Sequence, residues 1–182
     1  DQPYDNISFT GWHTGYPDAP VRLIPESCRD IPFEENMLLF IGEFTEKGEE
    51  ICPRSLLKRV IKRGEEMGFD AFSALEYEFF MFEETPESVR EKGFKNLKPL
   101  TPDWFGYSVL RSTVHADLYK QILDMSEEMG FPIEGLHTET GPGVLEAAIA
   151  VDSAENAADK GAMSMTFMIV LAQSTGPSPI HI

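Results

Sequence analysis

Cysteine is scarce in this sequence: Cys28 and Cys52 are the only two, with no Cys-x-x-Cys spacing. That excludes a disulfide framework and points to a reducing, cytoplasmic compartment. Long apolar runs are missing too. Nothing approaches the roughly 18 residues of a membrane span, and no basic–apolar signal segment opens the chain. Positive charge is in short supply: 15 Lys and Arg stand against 31 Asp and Glu, a formal charge of −16 over 182 residues. With a pI near 4.5, nucleic acid and anionic membranes are excluded as partners, because phosphate contact needs clustered cations. A Gly-rich phosphate loop, HExxH and G-x-S-x-G are absent as well.

What is present is enough to fold. A composition 42% hydrophobic and 11% aromatic supports a sizeable core, either one ordinary domain or a large piece of a bigger one. The chain opens on Asp1 and stops at Ile182 without a closing element, as a cut piece would. Residues 1 to about 35 read as loop, broken by Pro3, Gly11, Gly15, Pro17, Pro20, Pro25 and Pro32. Met37–Ile41 reads as a buried strand. A helix opens at Pro53, carries Leu56, Leu57, Val60, Ile61 and Met67 on one stripe, and ends at Gly68. Its Lys58, Arg59, Lys62 and Arg63 read as a solvated outer face. Residues 70–82 read as an aromatic-rich strand and 83–106 as a long excursion. A helix over 113–129, strands at 132–138 and 144–151 joined by Gly141-Pro142-Gly143, and a helix capped by Ser153 complete a mixed α/β layer with an exposed sheet face. The methionines, Met125, Met129, Met163, Met165 and Met168 among them, have helical spacing and read as core filler.

The carboxylates break the pattern. In a strand, Glu76 and Glu78 point to one face with their α-carbons about 7 Å apart, among apolar Phe72, Ala74, Phe80 and Phe82. Two such charges repel by roughly 2 kcal/mol at an effective dielectric of about 20, so a cation is expected opposite them. The strand near 132–139 puts Ile133, Gly135, His137 and Glu139 on one face, and Glu146 is a single acid in an otherwise apolar strand. Three strands thus contribute inward carboxylates, the oxygen donor set that Mg²⁺ or Mn²⁺ prefers. His13 and His115 lack partners at useful spacing.

These residues carry a family resemblance. Leu75-Glu76-Tyr77-Glu78-Phe79-Phe80-Met81-Phe82 resembles the ExE-FF-F strand of glutamine synthetases, and His137 to Glu146 (HTETGPGVLE) resembles their H-x-E…G-P-G-Q-x-E segment. Ala157-Ala158-Asp159-Lys160, Trp12, Gly15-Tyr16-Pro17-Asp18 and Pro53-Arg54 fall in family order, so the likeness spans nearly the whole chain. It implies that Glu78, Glu139 and Glu146 hold the metal that steadies the γ-carboxylate of glutamate, and that Glu76 holds the second metal, at the ATP phosphates. It further implies that Glu134 contacts the nucleotide and Tyr107 borders the ammonium pocket. Asp5 would be the aspartate given to a neighbouring subunit's pocket, although the usual Asp-Gly-Ser-Ser is here Asp5-Asn6-Ile7-Ser8. His181 matches either histidine of a Gly-x-His-x-His loop, the metal ligand or the one near the nucleotide.

The sequence also departs from the family. Val144 stands where glutamine synthetases proper have Gln, as in the branch that joins glutamate to amines. The family's nucleotide- and phosphate-holding arginines fall beyond residue 182. The resemblance implies the end of a β-grasp domain in residues 1–52 and the first half of a catalytic sheet-and-helix domain in 53–182. It implies an ATP- and Mg²⁺- (or Mn²⁺-) dependent ligase acting on glutamate and ammonia or an amine, working as a ring-like homo-oligomer in the cytoplasm. Two other readings stay open: a catalytically inactive relative in a structural role, and a metal-dependent hydrolase or phosphotransferase on a similar sheet.

Overall fold

The computed structural model describes residues 11–174. They divide into two compact units, 36–71 grouping with the residues before 32, and 72–174 grouping with 32–35.

In the first unit, β1 (Val21–Asp30) and β2 (Leu38–Phe44) form an antiparallel hairpin that pairs Val21 with Phe44 and Arg22 with Glu43. The strand β1 lies where sequence reasoning expects only loop. Pro25 falls in a register break between Ile24 and Arg29, where its missing N–H costs no ladder hydrogen bond. Helix α1 (Pro53–Glu66) starts as expected, with proline in its first turn. Leu57 and Ile61 are half-buried, whereas Leu56 and Val60 of the expected stripe are exposed. Lys58 is not simply solvated: with Arg22 and Arg54 it pairs with Glu43, whose side chain is 2% exposed. Burial opposes ionisation of that carboxyl, but hydrogen bonds from Arg22, Arg54 and Lys58 outweigh it and hold the pKa at about 2.

The second unit is built on a three-stranded antiparallel sheet in the order β4-β6-β5, formed by β4 (Glu76–Phe80), β5 (Ile133–Thr138) and β6 (Val144–Ile149). The expected strand 70–82 is split. Its first part, β3 (Phe72–Ser73), pairs instead with β7 (Asp152–Ser153), and the Leu75 carbonyl between the parts accepts from the Ile149 N–H at 2.9 Å. The expected helix over 113–129 is also two, α3 (Val109–Val114) and α4 (Ala116–Glu128), broken at the non-helical His115. Helix α5 (Ala154–Ser174) is one piece. Its start is held by Asp152, which accepts from the Ser153 backbone N–H and the Asn156 side-chain amide and pairs with Lys160 at 2.7 Å.

One sheet face is covered. Phe79, Leu145, Ala147 and Ile149 are buried there, with Ile122, Met125 and Met129 from α4 and its C-terminal end, and Met163, Phe167, Met168 and Leu171 from α5. Four of the five expected core methionines are thus buried, while Met165 is exposed. Each large side chain so buried contributes roughly 1.5–3 kcal/mol. Phe33 stacks on Phe167 at 6.4 Å, which ties residues 32–35 to this unit. The 83–106 excursion contains α2 (Pro86–Glu91) and is pinned by Glu84. Its buried carboxylate accepts from the Ser88 hydroxyl, the Lys92 ammonium and the Lys98 N–H. The other sheet face carries the acids.

Candidate active site

Strand alternation decides which side chains share that open face. Along β4 it exposes Glu76, Glu78 and Phe80 and turns Tyr77 and Phe79 inward. Register then builds rows across the sheet: Glu78 lies opposite Glu146, and Glu146 opposite His137. The neighbouring row runs Glu76, Ala148, Gly135. The hairpin between β5 and β6 returns through Gly141 at φ 123° and Gly143 at φ 71°, backbone conformations that L side chains avoid. A Cβ on Gly143 would lie 2.4 Å from the Met81 carbonyl oxygen, so the turn admits no side chain there. The Glu139 N–H donates to the Val144 carbonyl at 3.0 Å, closing the hairpin with Glu139 one step beyond β5 and beside the row.

His137, Glu139 and Glu146 each bring a donor atom to one point, all within 4.8 Å of one another. His137 Nδ1 is 3.8 Å from Glu139 Oε2, and its Nε2 is 3.6 Å from Glu146 Oε1. Glu139 Oε1 accepts from the Thr140 hydroxyl at 2.7 Å, whereas Glu139 Oε2 is buried with no hydrogen-bond partner. Such an orphaned oxygen is costly unless something cationic meets it. Among the described residues no lysine or arginine pairs with Glu76, Glu78, Glu139 or Glu146. No side chain among the described residues supplies the cation that strand alternation calls for. The two carboxylates suit a divalent ion such as Mg²⁺ or Mn²⁺, with the imidazole beside them.

Tyr107 lies over this cluster, its ring centroid 4.7 Å from that of His137. The neighbouring Glu139 carboxylate raises the phenol pKa, with smaller contributions from burial, Glu146 and Glu78. The Glu139 pKa is lowered, chiefly by the Thr140 hydroxyl. Beside Tyr107 a cleft of about 660 Å³ opens between α3, α4 and β5, lined by Val109, Tyr119, Leu123, Leu136 and His137 among others.

The structure thus brings together Glu139, Glu146 and Tyr107, and register places Glu78 next to them. Glu76 stands one row away, opposite Ala148. Glu134 is exposed at a register break on the outer strand β5. Asp5 and His181 lie outside the described residues. Sequence reasoning put His137 on the right face but gave it no role. Its signal was the i, i+2 spacing to Glu139.

Residues 50–178 match the family described as glutamine synthetase, catalytic domain. The chain belongs to the glutamine synthetase family. It is 44% identical over 163 residues to type-1 glutamine synthetase 2 of Dictyostelium discoideum, covering 88% of this chain and 31% of that relative. It is 29% identical over 164 residues to a glutamate–isopropylamine ligase of Pseudomonas sp, covering 87% and 35%. With the γ-glutamylethanolamide synthetase GlnA4 of Streptomyces coelicolor the identity is 27% over 177 residues, covering 96% and 38%. A solved structure of GmaS with ADP superposes with a TM-score of 0.72 at 19% identity, over 87% of this chain and 36% of that one. The chain therefore spans about a third of the length of these relatives.

Proposed function

We propose that this protein is an ATP-dependent ligase joining ammonia or an amine to the γ-carboxylate of glutamate through a γ-glutamyl phosphate. The observation that carries the reading is the convergence of His137, Glu139 and Glu146 around a buried, unpartnered carboxylate oxygen. Glu139 and Glu146, with Glu78 beside them, would hold a divalent metal that steadies the glutamate γ-carboxylate. Glu76, one row away, would hold a second metal that binds the ATP phosphates. Bound there, the ions supply positive charge that lets the γ-carboxylate and the phosphates approach one another. A γ-carboxylate oxygen attacks the terminal phosphorus and ADP leaves. The amine nitrogen then attacks the acyl carbon, phosphate leaves, and the nitrogen's proton passes to a carboxylate such as Glu139.

Tyr107 borders the nitrogen donor's pocket, and Glu134 contacts the nucleotide. Asp5, acting in a neighbouring subunit's site, and His181, toward metal or nucleotide, enter from the resemblance alone. The cleft beside Tyr107 has mainly apolar lining and gives an alkyl group room, which supports counting amines among the donors. We assign residues 1–52 to the end of a β-grasp domain and 53–182 to the first half of the catalytic domain of a cytoplasmic, ring-forming subunit.

The test follows ADP and phosphate release by the full subunit with glutamate and ammonium, methylamine, ethanolamine or isopropylamine. Turnover should require glutamate, a nitrogen donor and Mg²⁺ or Mn²⁺ together. Replacing Glu146 with Ala should lower kcat/KM by roughly 100-fold or more, as expected when a metal ligand is lost. Metal-dependent phosphate release without glutamate would establish the hydrolase reading instead, and a folded, assembled but inert subunit would establish the inactive relative.

A further inference from the structure

The strand segment that presents His137 and Glu139 on the open face has Thr138 between them, pointing the other way and 4% exposed. β5 is an outer strand of its sheet, and the loop from Phe105 to Ser108 straddles its free edge. Three hydrogen bonds, all made to Thr138, hold it there. The Tyr107 N–H donates to the Thr138 carbonyl at 2.7 Å. The Thr138 hydroxyl donates to the Phe105 carbonyl at 3.0 Å and accepts from the Ser108 N–H at 3.0 Å. Between those anchors Tyr107 takes φ 58°, a left-handed conformation that an aromatic residue does not adopt unless its surroundings impose it. The Arg111 guanidinium, 4.5 Å over the Phe105 ring and bonded to the Pro102 carbonyl, closes the loop from outside.

We propose that Thr138 is a positioning residue. Its hydroxyl clamps both sides of residue 107 to β5 and so keeps the Tyr107 ring against His137 and its phenol beside Glu139. One side chain thereby couples the metal-facing strand to the loop that borders the nitrogen donor, so the two cannot shift independently. The clamp stands on geometry; only its kinetic consequence rests on the function proposed above.

Thr138→Val keeps the shape and deletes both hydroxyl bonds, while Thr138→Ser keeps the hydroxyl. Hydrogen exchange on the full subunit should show the amides of Tyr107 and Ser108 exchanging about 10- to 30-fold faster in T138V, the loss expected for one to two modest hydrogen bonds. Peptides from β6 and α5 should be unmoved, and T138S should behave as the parent. In the ligase assay T138V should raise KM for ammonium or amine by a similar factor, with KM for ATP within about two-fold, and T138S should restore it. Unchanged exchange at 107–108 in T138V, equal acceleration in T138S, or acceleration spread through β6 and α5 would overturn the clamp. Local acceleration in a protein that never consumes glutamate would uphold the clamp and overturn the ligase reading.

Discussion

Replacing Glu78 with Gln should stabilise the metal-free protein and destabilise the metal-loaded one. Glu78 and Glu146 are direct cross-strand partners on the open face, and no lysine or arginine among the described residues neutralises either. Opposed like charges at this spacing cost about 0.5–1 kcal/mol on a wet face, where the effective dielectric approaches that of water. Removing one charge should therefore raise the unfolding temperature in EDTA by about 1–4 °C. With Mn²⁺ at 100 times the parent's Kd, binding stabilises the parent by about 2.7 kcal/mol. If loss of the Glu78 oxygen weakens the ion about 100-fold, the variant keeps only about 0.4 kcal/mol of that at the same concentration. The order of stability then reverses, with the parent ahead by roughly 1 kcal/mol or more. Scanning calorimetry of both proteins, with and without Mn²⁺, measures the crossing, and Glu66→Gln at an exposed position away from the acid face serves as a control for loss of one negative charge. An E78Q protein less stable than the parent in EDTA would refute the repulsion argument. Equal Mn²⁺ gains in both proteins would refute the role of Glu78 at the ion.

Glu43→Gln should cost about 2–3 kcal/mol by urea unfolding at pH 7, because it removes the buried carboxylate that Arg22, Arg54 and Lys58 share. Since the Glu43 pKa is held at about 2 against an ordinary 4.5, that stability is complete above about pH 4.5 and is lost as pH falls toward 2. The gap between parent and E43Q should close over the same window; a gap constant from pH 7 to pH 2.5 would show that Glu43 acts by packing alone. Gly143→Ala should destabilise by about 2 kcal/mol or more, since it combines φ 71° with a Cβ driven into the Met81 carbonyl. The same change should weaken Mn²⁺ binding by moving Glu139 relative to Glu146, and calorimetric titration reads that directly.

The acid face was legible in the sequence because strand alternation is a strict period of two. Glu76 with Glu78, and His137 with Glu139, could share faces only one way once the strands were assigned. What alternation cannot supply is register. Nothing local says that Glu78 meets Glu146 while Glu76 meets Ala148; that depends on where the Gly141–Gly143 turn falls, and on the Gly143 approach to the Met81 backbone. Strand β1 was illegible for a different reason. Its proline suggested loop, and only the register break at Pro25 makes a strand there tolerable. The break at His115 was hidden because α3 and α4 keep helical spacing across it, and backbone angles at a single residue interrupt them.

Thr138 was the least visible of all. By periodicity it is a core-facing residue between two candidate ligands, and its hydroxyl acquires meaning only when a loop 30 to 33 positions earlier returns to the edge of β5. A side chain that binds nothing itself leaves no motif at its own position. Such residues are found by asking where each buried polar group spends its hydrogen bonds. The same question asked of Glu139 leaves one oxygen without an answer inside the protein. On this sheet the satisfied hydroxyl and the unsatisfied carboxylate are adjacent residues, one holding the loop and the other belonging to the cluster that the loop's Tyr107 overlies.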